Sequence, residues 1–249
     1  MVYYLLNIIF MLCFVEDRRD VEVEIVATDN IYVDCTSKLF IESPKSVTLI
    51  KSVQTSAYVY AVCHYKGVTY LATGQAVETI DSDFNIKTCA SLNRCPYGIT
   101  IDKEKIYVLV SGKGGPPTIN VHDLSGKRIT KWNRTDSCWY IRPAIVSNQI
   151  VVPDCANQLL TIYSLAGRVI KHITCPQLCG AASVCAVDNN FIIVFDYETS
   201  EVFKVNISTE ETVWTCNDVA KPEAVAIYGK DYVCVGSKGK ISFLNINTG

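Results

Sequence analysis

Residues Ile150 to Gly167 read IVVPDCANQLLTIYSLAG. A short apolar run, Ile150–Val152, meets Pro153 and Asp154; a second run, Leu159–Ser164, follows a Cys-Ala-Asn-Gln turn, and the stretch stops at Gly167. In the second run Leu160 and Ile162 alternate with Thr161 and Tyr163, the period of two that a strand imposes on its side chains. Proline has no N–H to give to a sheet, and Asp accepts hydrogen bonds from the backbone just beyond it, so Pro153-Asp154 predicts the end of the first strand. The stretch reads as two antiparallel strands and the turn into a third.

It has relatives along the chain. IYVLVSGKGGPPTINVHDLSG (106–126), FIIVFDYETSEVFKVNIST (191–209) and YVCVGSKGKISFLNINTG (232–249) share the order of apolar strand, small or polar turn and alternating strand, while VTYLATGQAVETIDSD (68–83) is looser and IYVDCTSKLFIES (31–43) is a sixth candidate. A further short strand precedes each, as in GITIDKEK and AIVSNQ, and a fourth follows most of them, as in KRITKW, RVIKHIT and ETVWTC. The anchors Ile31, Val68, Ile106, Ile150, Phe191 and Tyr232 lie 37, 38, 44, 41 and 41 residues apart. A repeat of about 40 residues holding four short strands cannot bury its own apolar faces, and stacks radially as the blade of a β-propeller. No segment carries a long stripe at helical spacing. The expected fold is all-β: a six-bladed propeller of four-stranded antiparallel blades over residues 21–249, with a five-bladed or incomplete ring as the alternative.

Ring closure separates these. The last unit stops after its third strand, and an unpaired edge invites aggregation. The apolar run Tyr3–Val15 can supply the missing strand and close six blades; alternatively VTLIKSV (47–53) supplies it and closes five, leaving residues 1–45 outside. The N-terminal segment 1–20 is thus a closing strand or a signal-like sequence. Its run from Val2 to Val15 is shorter than the about 20 residues of a membrane span, and no Lys or Arg precedes it. No membrane span is expected.

VVPDCANQLLTIYSLAG resembles the NHL repeat, through Asp154, Asn157, Leu160, Ile162, Tyr163 and Gly167. RCPYGITID (94–102) is similar to that repeat's first strand through Pro96, Gly98 and Asp102, whereas RPAIV and KPEAVAI keep Pro143 and Pro222 but lose the Gly. The resemblance covers nearly the whole chain after about residue 22, with two blades matching well. It is nearest to the C-terminal propellers of invertebrate tripartite-motif-like proteins. It implies a rigid interaction module in a ubiquitin-ligase-like system, without the zinc-binding parts that would carry ligase chemistry.

Composition narrows the function. Hydrophobic residues make up 49% and the net charge is -2, which favours a well-packed domain over a dedicated nucleic-acid binder. Several of the twelve cysteines sit inside apolar runs, such as Cys63, Cys185 and Cys234, where a free thiol packs as a small hydrophobe. The expectation is reduced cysteines in a cytoplasmic protein, or a secreted one if residues 1–15 act as a signal peptide. Cys175 and Cys179 are half a zinc site with no second half. Asp154 and Asp196 end second strands, where carboxylates hold turns together. His64, His122 and His172 fall in different blades, with His122 at the place of Tyr163 and expected to be partly exposed. No catalytic constellation, cofactor or metal is expected.

Two surfaces remain. Tyr97, Trp139 and Tyr140 stand near the starts of blades, where aromatic anchors of a protein partner would share one end of the ring. Lys127, Arg128, Lys131 and Arg134 surround Trp132, a basic stretch with an aromatic that suits single-stranded RNA. The expected function is a non-catalytic module that presents a loop face to a protein partner. RNA binding through the basic stretch is the first alternative, and a secreted propeller hydrolase or lyase the second.

Overall fold

The computed structural model describes residues 20–23, 51–55, 57, 59–112, 115–135, 141–180, 182–228, 231–237 and 240–247. Among them every regular element is a β-strand. The first blade consists of β3 (Val59–Tyr65), β4 (Val68–Thr73), β5 (Ala76–Ile80) and β6 (Ile86–Ser91), numbered after a separate pair, β1 (Asp20–Val23) and β2 (Lys51–Gln54). The second holds β7 (Pro96–Asp102), β8 (Lys105–Val110), β9 (Thr118–Asp123) and β10 (Arg128–Asn133), and the third β11 (Ala144–Val146), β12 (Gln149–Asp154), β13 (Leu159–Ser164) and β14 (Val169–Thr174). The fourth holds β15 (Ala182–Ala186), β16 (Phe191–Asp196), β17 (Glu201–Asn206) and β18 (Glu211–Cys216). The fifth has β19 (Ala224–Tyr228), β20 (Tyr232–Ser237) and β21 (Lys240–Asn245). Each is an antiparallel meander in chain order.

The described residues therefore form five blades, the alternative, and not the six expected. The sixth anchor, Ile31, and the closing run Tyr3–Val15 lie outside the described residues. The other closing strand, Val47–Val53, does not complete the fifth blade in its described part: Lys51–Gln54 pairs with Asp20–Val23 instead. A periodic anchor marks where a strand can start; it does not choose the strand's partner.

The opening stretch is β12 and β13, paired from Gln149↔Ser164 to Asp154↔Leu159. The strand ends at Asp154, as expected, with Pro153 its penultimate residue, and the turn begins at Cys155. The alternation in β13 sorts side chains between two neighbours. Leu160 and Ile162 pack with Phe203 and Val205 of the fourth blade, and Tyr163 packs with Tyr107 and Val121 of the second. All three are fully buried. A blade is covered on both faces, so its middle strands read as nearly continuous apolar runs. Burying such side chains on both sides is the main stabilisation, about 1.5–3 kcal/mol for each large one.

The outer strands differ. A register shift recurs between third and fourth strands of four blades, at Val77/Glu78, Arg128/Thr130, Ile162/Tyr163 and Lys204/Val205. In three of them the residue skipped on the outer strand is Ile129, Ile170 or Val213, and these are the exposed large hydrophobics among the described residues. A bulge of this kind twists an edge strand and spoils it as a template for another chain.

Candidate binding face

First strands lie next to one another, β3 by β7, β7 by β11, β11 by β15 and β15 by β19. The turns joining first to second strands are tied in series. Lys66 Nζ donates to Glu104 at 2.7 Å, Lys103 Nζ donates to Asn148 Oδ1, and Ser147 Oγ donates to the Asn189 carbonyl at 2.6 Å. These turns define a lower face. Antiparallel connection then puts the starts of first strands, the turns joining second to third strands, and the links between blades on the opposite, upper face. Lys103-Glu104 and Ser147-Asn148 both have φ between 45° and 64°, the left-handed pair that a two-residue hairpin turn demands.

Tyr97 lies on the upper face at the start of β7, half-buried. Its ring meets that of Tyr60, from the start of β3, edge to face at 5.2 Å and 80°. Trp139 and Tyr140 lie outside the described residues. Tyr197 and Lys221 are on the same face, with the ammonium 5.2 Å from the ring centre, a cation–π contact. Gly98 is required by packing: a Cβ there would fall 2.6 Å from the Ile141 carbonyl oxygen, so the glycine lets the third blade approach.

The basic stretch is divided. Lys127, Arg128 and Lys131 are exposed, but Arg134 is buried and Trp132 packs between the second and third blades, 6.4 Å from the Tyr107 ring. The half-buried ring is engaged by the neighbouring blade, and the strand runs down the outer rim rather than across a groove. His122 is also buried, contrary to its expected exposure; a ring nitrogen pairs with the Gly126 carbonyl at 2.9 Å. It occupies the place of the buried Tyr163, and both positions face neighbouring blades.

The aspartates act locally. Asp196 is fully buried and accepts four backbone N–H bonds, from Cys179 and Gly180 at 2.8 Å and from Glu198 and Thr199 at 2.9 and 3.0 Å. One carboxylate thus fastens its own hairpin to the link that enters its blade. Asp154 accepts from the side chain of Asn157 at 2.9 Å. The nine described cysteines are free. Burial pushes Cys63, Cys175, Cys185 and Cys234 up to about 12, which removes the thiolate on which reactivity depends. Among the described residues no group of three or more His, Cys, Asp or Glu could hold a metal ion.

Sequence reading missed Arg142 and Glu223. Arg142 precedes β11 and is half-buried. Burial lowers its guanidinium to about 10, with the Glu223 carboxylate pulling the other way. Sequence offered no signal for Arg142: RPAIV aligns Pro143 with Pro96, and only the strand register places Arg142 at the position of Gly98.

Blades stacked in series through their first strands are also the architecture of solved structures. A chain of a mitotic checkpoint complex superposes with a TM-score of 0.61 at 12% identity, over 79% of this chain and 65% of that one. The chain is a β-propeller. The WD40 β-propeller domain of Doa1 matches with a TM-score of 0.58 at 11% identity, over 80% and 73%. A virginiamycin B lyase from Staphylococcus aureus matches with a TM-score of 0.59 at 15% identity, over 80% and 75%. The propeller spans less than two thirds of the checkpoint chain. Likeness at these identities concerns the fold alone, which serves interaction modules and a lyase alike. No family model matches the chain, and no curated protein matches it. No helix of the described residues is long and apolar enough to cross a membrane.

Proposed function

We propose that this propeller is a non-catalytic protein-interaction module of NHL-like type, which presents its upper face to a protein partner. The observation that carries this reading is the Tyr60–Tyr97 pair, two half-buried aromatics from adjacent blades held edge to face at the start of their strands. Rigid aromatics with an exposed part give large contact area at little entropic cost. Tyr197 with Lys221 extends the same face. Service as the substrate-recognition part of a ubiquitin-ligase-like system rests on the resemblance to tripartite-motif-like propellers. The free cysteines support a reducing compartment such as the cytoplasm.

The test is affinity capture with identification of bound protein and RNA together, using the wild-type chain, a Tyr60→Ala/Tyr97→Ala variant and a lower-face Lys66→Ala control. The expected result is a discrete protein partner lost by the tyrosine variant and kept by the control. RNA retained in a salt-sensitive way, with no protein partner, would overturn the reading.

A further inference from the structure

Aligned on their second strands, four of the five first strands place a small residue two positions before the residue that faces Tyr70, Tyr107, Ile193 or Cys234. These are Ala61, Gly98, Ser183 and Ala224. In the third blade the residue facing Val151 is Ala144, and two positions before it stands Arg142. The reason lies in the backbone. Pro143 and Pro153 have no N–H to donate, and β11 pairs with β12 through three residues, from Ala144 to Val146. Arg142 turns to the fourth blade instead: its N–H donates to the Ala182 carbonyl at 3.3 Å, and its carbonyl accepts from Val184 at 3.1 Å.

The side chain is left over. Its Nη1 is buried without a hydrogen-bond partner. The two buried aspartates of this face are held elsewhere, Asp196 by four backbone N–H groups and Asp154 by Asn157. Glu223, just before the fifth blade, attracts the guanidinium without satisfying that nitrogen. A buried donor with no acceptor costs more than the bond it would form gives back, and the fold has no use for a long cation where four other blades have Ala, Gly or Ser. We propose that Arg142 anchors a carboxylate-binding subsite on the upper face, at the start of the third blade. The planar fork of arginine suits a bidentate carboxylate. Glu223 opposes the incoming charge and tunes the affinity. An acidic side chain of a protein partner rests on the interaction reading as a source; a free small carboxylate does not.

Titration calorimetry of the full chain, with succinate in one arm and an acetylated, amidated Gly-Asp-Glu-Gly peptide in the other, tests the subsite. Saturable binding is expected in at least one arm. Tighter peptide binding assigns the carboxylate to a partner protein, and tighter succinate binding to a free anion. Arg142→Ala, the residue used at positions 61 and 224, should weaken binding at least tenfold with an unchanged or raised melting temperature. Arg142→Lys should lose less, and Glu223→Gln should bind more tightly than wild type. No saturable binding in either arm, equal binding by Arg142→Ala, or a lowered melting temperature for that variant would overturn the subsite. Partner capture that still depends on Tyr97 would, in that case, leave the interaction reading standing.

Discussion

Gly167, in the turn between β13 and β14, lies against the indole of Trp132 in the preceding blade: a Cβ at Gly167 would fall 2.3 Å from the ring. The contact explains why the repeat ends on glycine. The position needs a positive φ, here 85°, and it needs space for the neighbouring blade's aromatic.

Gly167→Ala should therefore lower stability through both causes, by about 2–4 kcal/mol, combining left-handed strain with overpacking. Gly67→Ala is the control, since Gly67 has a φ of 80° and nothing within 4 Å of its Cβ; it should cost only about 1–2 kcal/mol. Urea denaturation of both variants separates strain from clash, and equal midpoints would refute the Trp132 contact.

Trp132→Ala should destabilise by about 2–3 kcal/mol, at or below the lower end for a buried aromatic, because the ring is only partly enclosed. Lys131→Ala, on the exposed side of the same strand, should change stability by less than about 0.5 kcal/mol. The midpoint of thermal unfolding checks both.

Asp196→Ala strips the acceptor from four backbone donors and should cost about 3 kcal/mol or more. Asp196→Asn should be nearly as harmful, because its NH2 would face N–H groups. Asp154→Ala removes the acceptor of Asn157 within its own hairpin turn and should also lower stability. Hydrogen exchange at Cys179 and Gly180 should rise in the Asp196 variants and stay unchanged in Asp154→Ala.

Native thiols should react in order of burial. Exposed Cys179 should alkylate first, with the buried Cys175 and Cys234 silent near pH 8, as mass spectrometry can follow. The values of those two buried thiols, pushed up to about 12 by burial, exceed the unfolded thiol value of about 8.5. The thiols stay neutral in both states at low pH, so their contribution to stability is complete below about pH 8.5. As pH rises toward 12 the unfolded chain ionises first, and stability falls by up to about 1.4 kcal/mol per pH unit per thiol. Cys175→Ala/Cys234→Ala should flatten that fall in alkaline denaturation; an unchanged slope would count against buried, neutral thiols at these positions.

Strand identity was legible in the sequence because pairing inside a blade is local. The stretch from Ile150 to Gly167 holds two strands and their turn within eighteen residues, and its alternation named Leu160 and Ile162 as one face. The turn role of Asp196 was legible too, since a carboxylate beside a hairpin has backbone donors within reach. Alternation says that a strand has two sides; it does not say what covers them. His122 read as a partly exposed residue, and the fold buried it.

The sequence by itself determined the repeating unit: strand, turn, strand, with apolar and polar residues placed by a period of two. Tertiary structure decided the rest. The bulge opposite Val121 turned Ile129 outward, the third blade enclosed Trp132, and β2 paired with β1 rather than with the fifth blade. Arg142 gained its significance only from alignment with four small residues in other blades. Those outcomes depend on contacts between segments about 40 residues apart, whose energies no local pattern encodes.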